Sequence, residues 1–218
     1  MHGSKAASVE EALTHIRSGQ TIMLSGFTNV GSPNKFIVKM AEAGITDIDL
    51  ISNDAGNDHT DGIGTLICQH RVRRLTASHV GLNPKVAEQM NAGTLEVVLV
   101  PQGTLAERIR CGGTGLGGVL TKTGLGTVVE EGKQIIEVNG ESYLLETALR
   151  ADIALTRCRR ADPLGNLAYS GSSGHASHPV IATCGALSIV ECDHFCDLGE
   201  LGPDKIKVPG MFVDMILA

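Results

Sequence analysis

The stretch Thr21-Ile-Met-Leu24, Ser25-Gly-Phe-Thr-Asn-Val-Gly-Ser-Pro33, Asn34 to Ala43, Gly44 and Ile48-Asp-Leu-Ile51 decides the fold class. A short, mostly apolar run enters a polar loop that carries glycines. An amphipathic segment follows, a glycine stops it, and a second apolar run begins. Continuous apolar strands alternating with helices predict a parallel sheet covered on both faces. The rhythm spreads in both directions. Upstream, Ser8-Val-Glu-Glu11 has the capping-box pattern, which predicts a helix from there through Arg17, stopped at Gly19. Downstream, strands are predicted at Leu75–Ser78, Leu95–Val100, Ile153–Thr156 and Leu187–Val190. Helices are predicted at Pro84–Ala92 and Thr104–Arg110. Lys133–Val138, Asn139-Gly140 and Glu141–Leu145 read as a β-hairpin, because Asn-Gly suits the two left-handed positions of a type I′ turn. The sheet is therefore expected to carry one antiparallel excursion near its middle. With no internal repeat and no long linker, residues 1–218 are expected to form one domain.

Composition narrows the functional classes. Hydrophobic residues at 42% and charged residues at 19% suit a globular core and argue against disorder. A net charge of -6 disfavours a nucleic-acid partner, since Arg71–Arg74 and Arg157–Arg160 are too short to make a basic stripe. No apolar run approaches the ~20 residues of a membrane span. Six cysteines without a CxxC, and an N-terminus without an apolar signal core, predict a reduced cytoplasmic protein with buried free thiols. The 27 glycines, where average usage would give roughly 15, point to ligand loops or to many tight turns.

Four places could carry chemistry. Ser25–Pro33 leaves a strand and precedes a helix, where glycine lets backbone amides reach an anion. Ile51-Ser-Asn-Asp-Ala-Gly56 repeats that arrangement. Asn53 offers an amide to a carbonyl or carboxylate, and Asp54, Asp58 and Asp61 read as loop or capping residues. Gln102 and Gly103 sit at the exit of an apolar strand. Gly113–Gly118 matches G-x-G-x-x-G by letter, but a helix separates it from the strand, so no dinucleotide fingerprint is assigned. Cys192, His194 and Cys196 share one side of a strand, with His175, His178 and Cys184 nearby. They lack a paired ligand motif, and no metal is assigned. No G-x-S-x-G elbow is present, so the chain shows ligand loops without an obvious nucleophile.

Several blocks resemble one family. Leu24-Ser-Gly-Phe27 with Gly31-Ser-Pro33 resembles the first signature of the family I CoA transferases. Ser52–Gly56, Pro101–Arg110, Leu120–Thr127, Val129–Lys133, Ala161–Leu167 and Pro209–Val213 resemble its α-subunit blocks, in family order and over nearly the whole chain. The nearest likeness is to subunits that exchange CoA between acetoacetate and acids such as acetate or butyrate. The resemblance implies an open, mixed, mostly parallel seven-stranded sheet with helices on both faces. It implies ping-pong chemistry. A glutamate attacks the acyl-CoA carbonyl and expels the CoA thiolate, which leaves an acyl-glutamyl anhydride. The thiolate returns to the glutamyl carbonyl and releases the first acid, and a second acid then takes the CoA. In two-subunit members that glutamate belongs to the β subunit, so no catalytic residue is assigned to this chain and Glu107 is not that glutamate. Ser25, Gly26, Phe27, Thr28, Asn29, Val30 and Gly31 match the CoA-binding and oxyanion segment. Asn53 and Gln102, with Gly103, match the substrate-facing positions. A fixed donor of that kind can be worth ~3 kcal/mol in a transition state. The implied partners are a β subunit in an α2β2 assembly, acyl-CoA, and short carboxylic or 3-keto acids. CoA thioester is substrate, and no permanently bound cofactor is expected.

Two departures stand out. Ser25 replaces a glycine of the family's Gly-Gly-Phe, which requires negative φ or tolerated strain. Gly174-His-Ala-Ser-His-Pro179 replaces an Asn-Phe-Asn-Pro stretch, removing an aromatic and two amides. Two other readings fit similar glycine-loop sheets: a sugar-phosphate isomerase, which needs a base in this chain, and a ligand-binding module without turnover.

Overall fold

The computed structural model describes residues 3–57, 61–174 and 177–217. In chain order the elements are β1 (Ala6–Ala7), α1 (Val9–Leu13), β2 (Thr21–Leu24), α2 (Asn34–Glu42), β3 (Ile48–Ile51), α3 (Gly62–Cys68), β4 (Val72–Ala77), α4 (Pro84–Asn91), β5 (Glu96–Leu99) and α5 (Gln102–Gly113). They continue with β6 (Gly118–Thr121), β7 (Ile135–Val138), β8 (Glu141–Thr147), β9 (Ala151–Ala161), β10 (Leu167–Ala168), α6 (Ser177–Ile181), β11 (Gly185–Phe195) and β12 (Met215–Leu217).

The main sheet runs β1-β12-β11-β9-β2-β3-β4-β5, with β10 on β9. Every pair is parallel except β10 with β9. The α/β class with a mostly parallel sheet is as expected. The sheet has nine strands rather than seven. The strands β1, β10 and β12 span two or three residues each, too short to show a hydrophobic period.

Side-chain alternation along β2 explains why its last three residues are all apolar. Ile22 and Leu24 join Phe36, Ile37, Met40, Ile63 and Leu66 on one face. Met23 joins Leu105, Ile109 and Ile181 on the other. Each fully buried aliphatic or aromatic side chain contributes roughly 1.5–3 kcal/mol. β5 ends the sheet, and its Leu99 stays 56% exposed.

Several elements differ from the sequence reading. The Ser8 cap is present, with Glu11 N–H donating to Ser8 Oγ at 3.0 Å. The helix ends at Leu13, not Arg17, because the chain tightens into three-residue turns: His15 N–H to Ala12 O and Ile16 N–H to Leu13 O. α3 was not foreseen, since seven residues with two glycines carry little periodicity. The Asn139-Gly140 turn forms as expected, with φ of 52° and 79°. Its hairpin, however, pairs with β6 in a separate three-stranded sheet rather than interrupting the main one. That small sheet is tied to α5 by Glu146, which is buried. Glu146 meets Lys133 at 2.5 Å and Arg108 at 3.4 Å, and Arg108 Nε donates to Thr147 O at 2.7 Å.

Candidate active site at the carboxyl ends of the strands

β2, β3 and β4 are adjacent and parallel, so the residues that follow them emerge together. Leaving β2, Ser25 is fully buried and is not among the residues with positive φ. Serine fits here without strain. Its Oγ donates to Gly31 O at 2.7 Å and accepts from Arg157 N–H at 3.3 Å, closing the base of the loop. Gly26 has φ of +113°, and a Cβ there would lie 2.7 Å from Ser32 Cβ. Only glycine satisfies both conditions.

Phe27 to Val30 forms a miniature hairpin. Phe27 N–H donates to Val30 O at 3.1 Å and Val30 N–H to Phe27 O at 3.0 Å. Thr28 and Asn29 are both left-handed, at φ 48° and 67°. Phe27 and Val30 are 49% and 54% exposed at its sides. The hairpin consumes two amides of the predicted CoA segment, and Thr28 N–H is taken by Asp54 Oδ2 at 2.9 Å. Among the described residues the amides of Gly26, Asn29 and Gly31 have no acceptor. Of the three, Asn29 and Gly31 are partly exposed, which leaves their amides open to an anion or a carbonyl oxygen, while Gly26 is buried.

The structure brings Asn53 and Gln102 to this loop from 27 and 76 positions further along the chain (53 − 26 and 102 − 26). Asn53 Nδ2 donates to Gly26 O at 2.7 Å, and Gln102 Nε2 donates to Asn53 Oδ1 at 2.9 Å. Ser78, just past β4, donates to Asn53 O at 2.8 Å and to Gln102 Oε1. Asn53 is only 3% exposed, whereas Gln102 is exposed. Gln102 and Gly103, just past the end of β5, open the first turn of α5, two residues before the helix start expected at Thr104. A Cβ at Gly103 would meet nothing within 4 Å, so the backbone there faces open space.

The sequence reading passed over Ser78 and treated Asp54 as a solvated or capping aspartate. Asp54 is fully buried. Its Oδ1 accepts from Gly56 N–H at 2.6 Å while Oδ2 holds Thr28. An Asx turn was visible in Asp54-Ala-Gly56; the contact with Thr28 depends on β2 lying beside β3. Asp61 stands at the N-cap of α3 without a side-chain capping bond, and Asp58 lies outside the described residues. So do His175 and Ala176 of the altered Gly174–Pro179 segment.

Beside the hairpin, a cavity of about 160 Å³ is lined by Val30, Gly31, Arg157, Ser170 and Asp193. Arg157 pairs with Asp193 at 2.8 Å. Beneath it Glu191, also buried, accepts from Phe36 N–H at 3.0 Å, and burial raises its carboxyl above the usual range. The basic run Arg157–Arg160 lies inside β9, with Arg157, Arg159 and Arg160 paired to Asp193 and Glu200. Cys192 faces Cys158 in register across β9 and β11, and both thiols are buried. All six cysteines are free, and among the described residues no three His, Cys, Asp or Glu groups converge as metal ligands.

Comparison with known proteins shows the family of the chain. The family model described as "Coenzyme A transferase" matches residues 6–218. The chain belongs to that family. It is 48% identical over 214 residues to the acetate CoA-transferase subunit alpha of Escherichia coli K12, covering 98% of this chain and 96% of that one. It is 42% identical to the acetoacetyl-CoA:acetate/butyrate CoA transferase alpha subunit of Clostridium acetobutylicum, covering 98% and 97%. It is therefore a CoA-transferase subunit of the alpha type. Among solved structures, glutaconate coenzyme A-transferase from Acidaminococcus fermentans superposes with a TM-score of 0.83 at 19% identity, over 98% of this chain and 75% of that one. An acyl-CoA transferase from Escherichia coli O157:H7 reaches 0.86 at 19% identity, over 99% of this chain but only 47% of that one. The present chain thus spans about half the length of that protein. At such identities the superpositions speak to the fold alone. No helix among the described residues is long and apolar enough to cross a membrane.

Proposed function

We propose that this chain is the α half of a two-subunit enzyme that moves CoA between a short acyl-CoA and a 3-keto or short fatty acid, with the attacking glutamate supplied by a β subunit. The carrying observation is the convergence of the Gly26–Gly31 loop, Asn53 and Gln102 into one hydrogen-bonded unit at the strand ends. The amides of Asn29 and Gly31, partly exposed and without an acceptor among the described residues, support a role in receiving the thioester oxygen or the phosphates of CoA. Gln102 lies exposed beside them for the incoming acid. The carboxylates on these same segments are engaged elsewhere: Asp54 with two backbone amides, Glu107 with Arg110 at 2.8 Å. That supports a nucleophile arriving from the partner. The acids named for the relatives, acetate, butyrate and acetoacetate, are the substrates to try first.

The test is co-expression with the neighbouring β subunit, followed by acetoacetate-dependent CoA exchange from butyryl-CoA, each subunit alone serving as control. Activity only in the mixture supports the reading, and trapping of a glutamyl-CoA thioester on the β chain supports the mechanism. Activity of this chain alone overturns it.

A further inference from the structure

The turn at the tip of the Phe27–Val30 hairpin is under-suited to its sequence. Type I′ turns want Asn, Asp or Gly at both left-handed positions. Asn29 meets that demand, while Thr28 is β-branched and still sits at φ 48°. Such a residue costs of order 1–3 kcal/mol and persists only where its surroundings hold it. The hairpin flanks are exposed and supply little packing. Two side chains reach the turn from outside: Asn34 Nδ2 donates to Asn29 O at 3.2 Å, and Asp54 Oδ2 accepts from Thr28 N–H at 2.9 Å. The second is a charge-assisted bond from a fully buried carboxylate whose other oxygen is fixed by Gly56 N–H. Among the described residues that carboxylate has no ion pair, so both of its oxygens are spent on shaping backbone.

We propose that Asp54 is a positioning residue: it holds Thr28 in the left-handed turn, and so pre-organises the free amides of Asn29 and Gly31 for the acyl-CoA without touching it. The functional half of this statement rests on the proposed activity; the structural half does not. An ordered loop spares a ligand the cost of ordering it, so loss of the clamp should appear in affinity more than in turnover.

The experiment compares Asp54→Ala with the parent, in the parent background and in a Thr28→Asn background whose turn no longer needs the clamp. In the assembled α/β enzyme, Asp54→Ala should raise KM for acyl-CoA roughly tenfold, with kcat changed by less than about threefold. The same substitution on top of Thr28→Asn should cost about threefold or less in KM. Amide exchange at Phe27 and Val30, followed on this chain, should quicken in Asp54→Ala and return toward parental rates in the double variant. A residue that only braces the fold would give equal losses in both backgrounds and leave hairpin exchange unchanged, and either result overturns the clamp. If the parental complex transfers no CoA at all, the proposed activity falls, while the exchange data still decide whether Asp54 holds the turn.

Discussion

The loop 25–32 and the stretch 112–118 are both rich in glycine, and the two use it for different ends. In 25–32, Gly26 is left-handed and pressed against Ser32, and the loop around it is fastened by Ser25, Asn53 and Asp54. The result is a shaped backbone with amides left over. In 112–118, Gly112 and Gly113 lie in the last turn of α5, where neighbouring backbone comes too close for any side chain. A Cβ on Gly112 would stand 1.8 Å from Leu149 O, and one on Gly113 would stand 2.5 Å from Thr183 Oγ1. Gly115, at φ 77°, ends the helix and meets nothing. These glycines serve packing and termination. Glycine density alone does not mark a site; the proposed site rests on unspent amides at strand ends.

The largest expected effect falls on the packing side. Gly112→Ala forces a methyl group into a carbonyl oxygen on a turn that cannot retreat without moving β9. It should destabilise the chain by about 3 kcal/mol, the upper end for overpacking. Urea unfolding checks this. A loss below about 1 kcal/mol would mean that α5 is free to slide, and the distinction between the two stretches would fail.

Gly26→Ala comes next, and it should separate the regions by kind of effect. Positive φ and the 2.7 Å approach to Ser32 together should cost about 2 kcal/mol in stability. CoA transfer by the assembled enzyme should fall further than that loss explains, because the carbonyl that Asn53 grips belongs to Gly26. Transfer kinetics measured well below the unfolding midpoint check it. Activity preserved in a folded Gly26→Ala enzyme would remove this loop from the site.

Which parts of this were legible follows from the same contrast. β2, α2 and β3 could be read because their apolar residues are continuous or periodic, and Asn139-Gly140 because its turn chemistry is local. α3, β1, β10 and β12 could not, because elements this short exist through what they pack against. The segments 25–31 and 51–56 and Gln102 were all visible as polar ends of apolar strands. That Asn53 bridges Gly26 to Gln102, that Ser78 completes the link, and that Asp54 is buried depend on strand order, which no local pattern encodes. α5 begins at Gln102, two residues before the start expected at Thr104, since Pro101 sets its N-terminus.

A milder change tests the termination role alone. Gly115→Ala should cost about 1 kcal/mol, the penalty of a left-handed alanine in open space. CoA transfer should stay at the parental level. Thermal unfolding and steady-state kinetics report both, and a selective loss of transfer would assign 112–118 a ligand role after all.

The smallest effect separates the regions by pH. Glu191 lies under the start of α2, and burial is the first cause of its raised carboxyl pKa, with the Phe36 amide and Arg157 pulling the other way. An acid whose folded value exceeds its unfolded value binds its proton more tightly in the folded chain. Its contribution to stability is then fullest below the unfolded value, near 4.3, and is lost as pH rises through the folded one. Glu191→Gln keeps an oxygen for Phe36 N–H and never ionises. Its stability relative to the parent should therefore increase from pH 4 to pH 7, while the deficit of Gly115→Ala stays flat over that range. Denaturant midpoints at the two pH values read the difference. If Glu191→Gln instead weakens the chain as pH rises, attraction to Arg157, 3.9 Å away, outweighs burial. The ionised carboxylate would then be one more fastening of the loop region, of the same kind as Asp54.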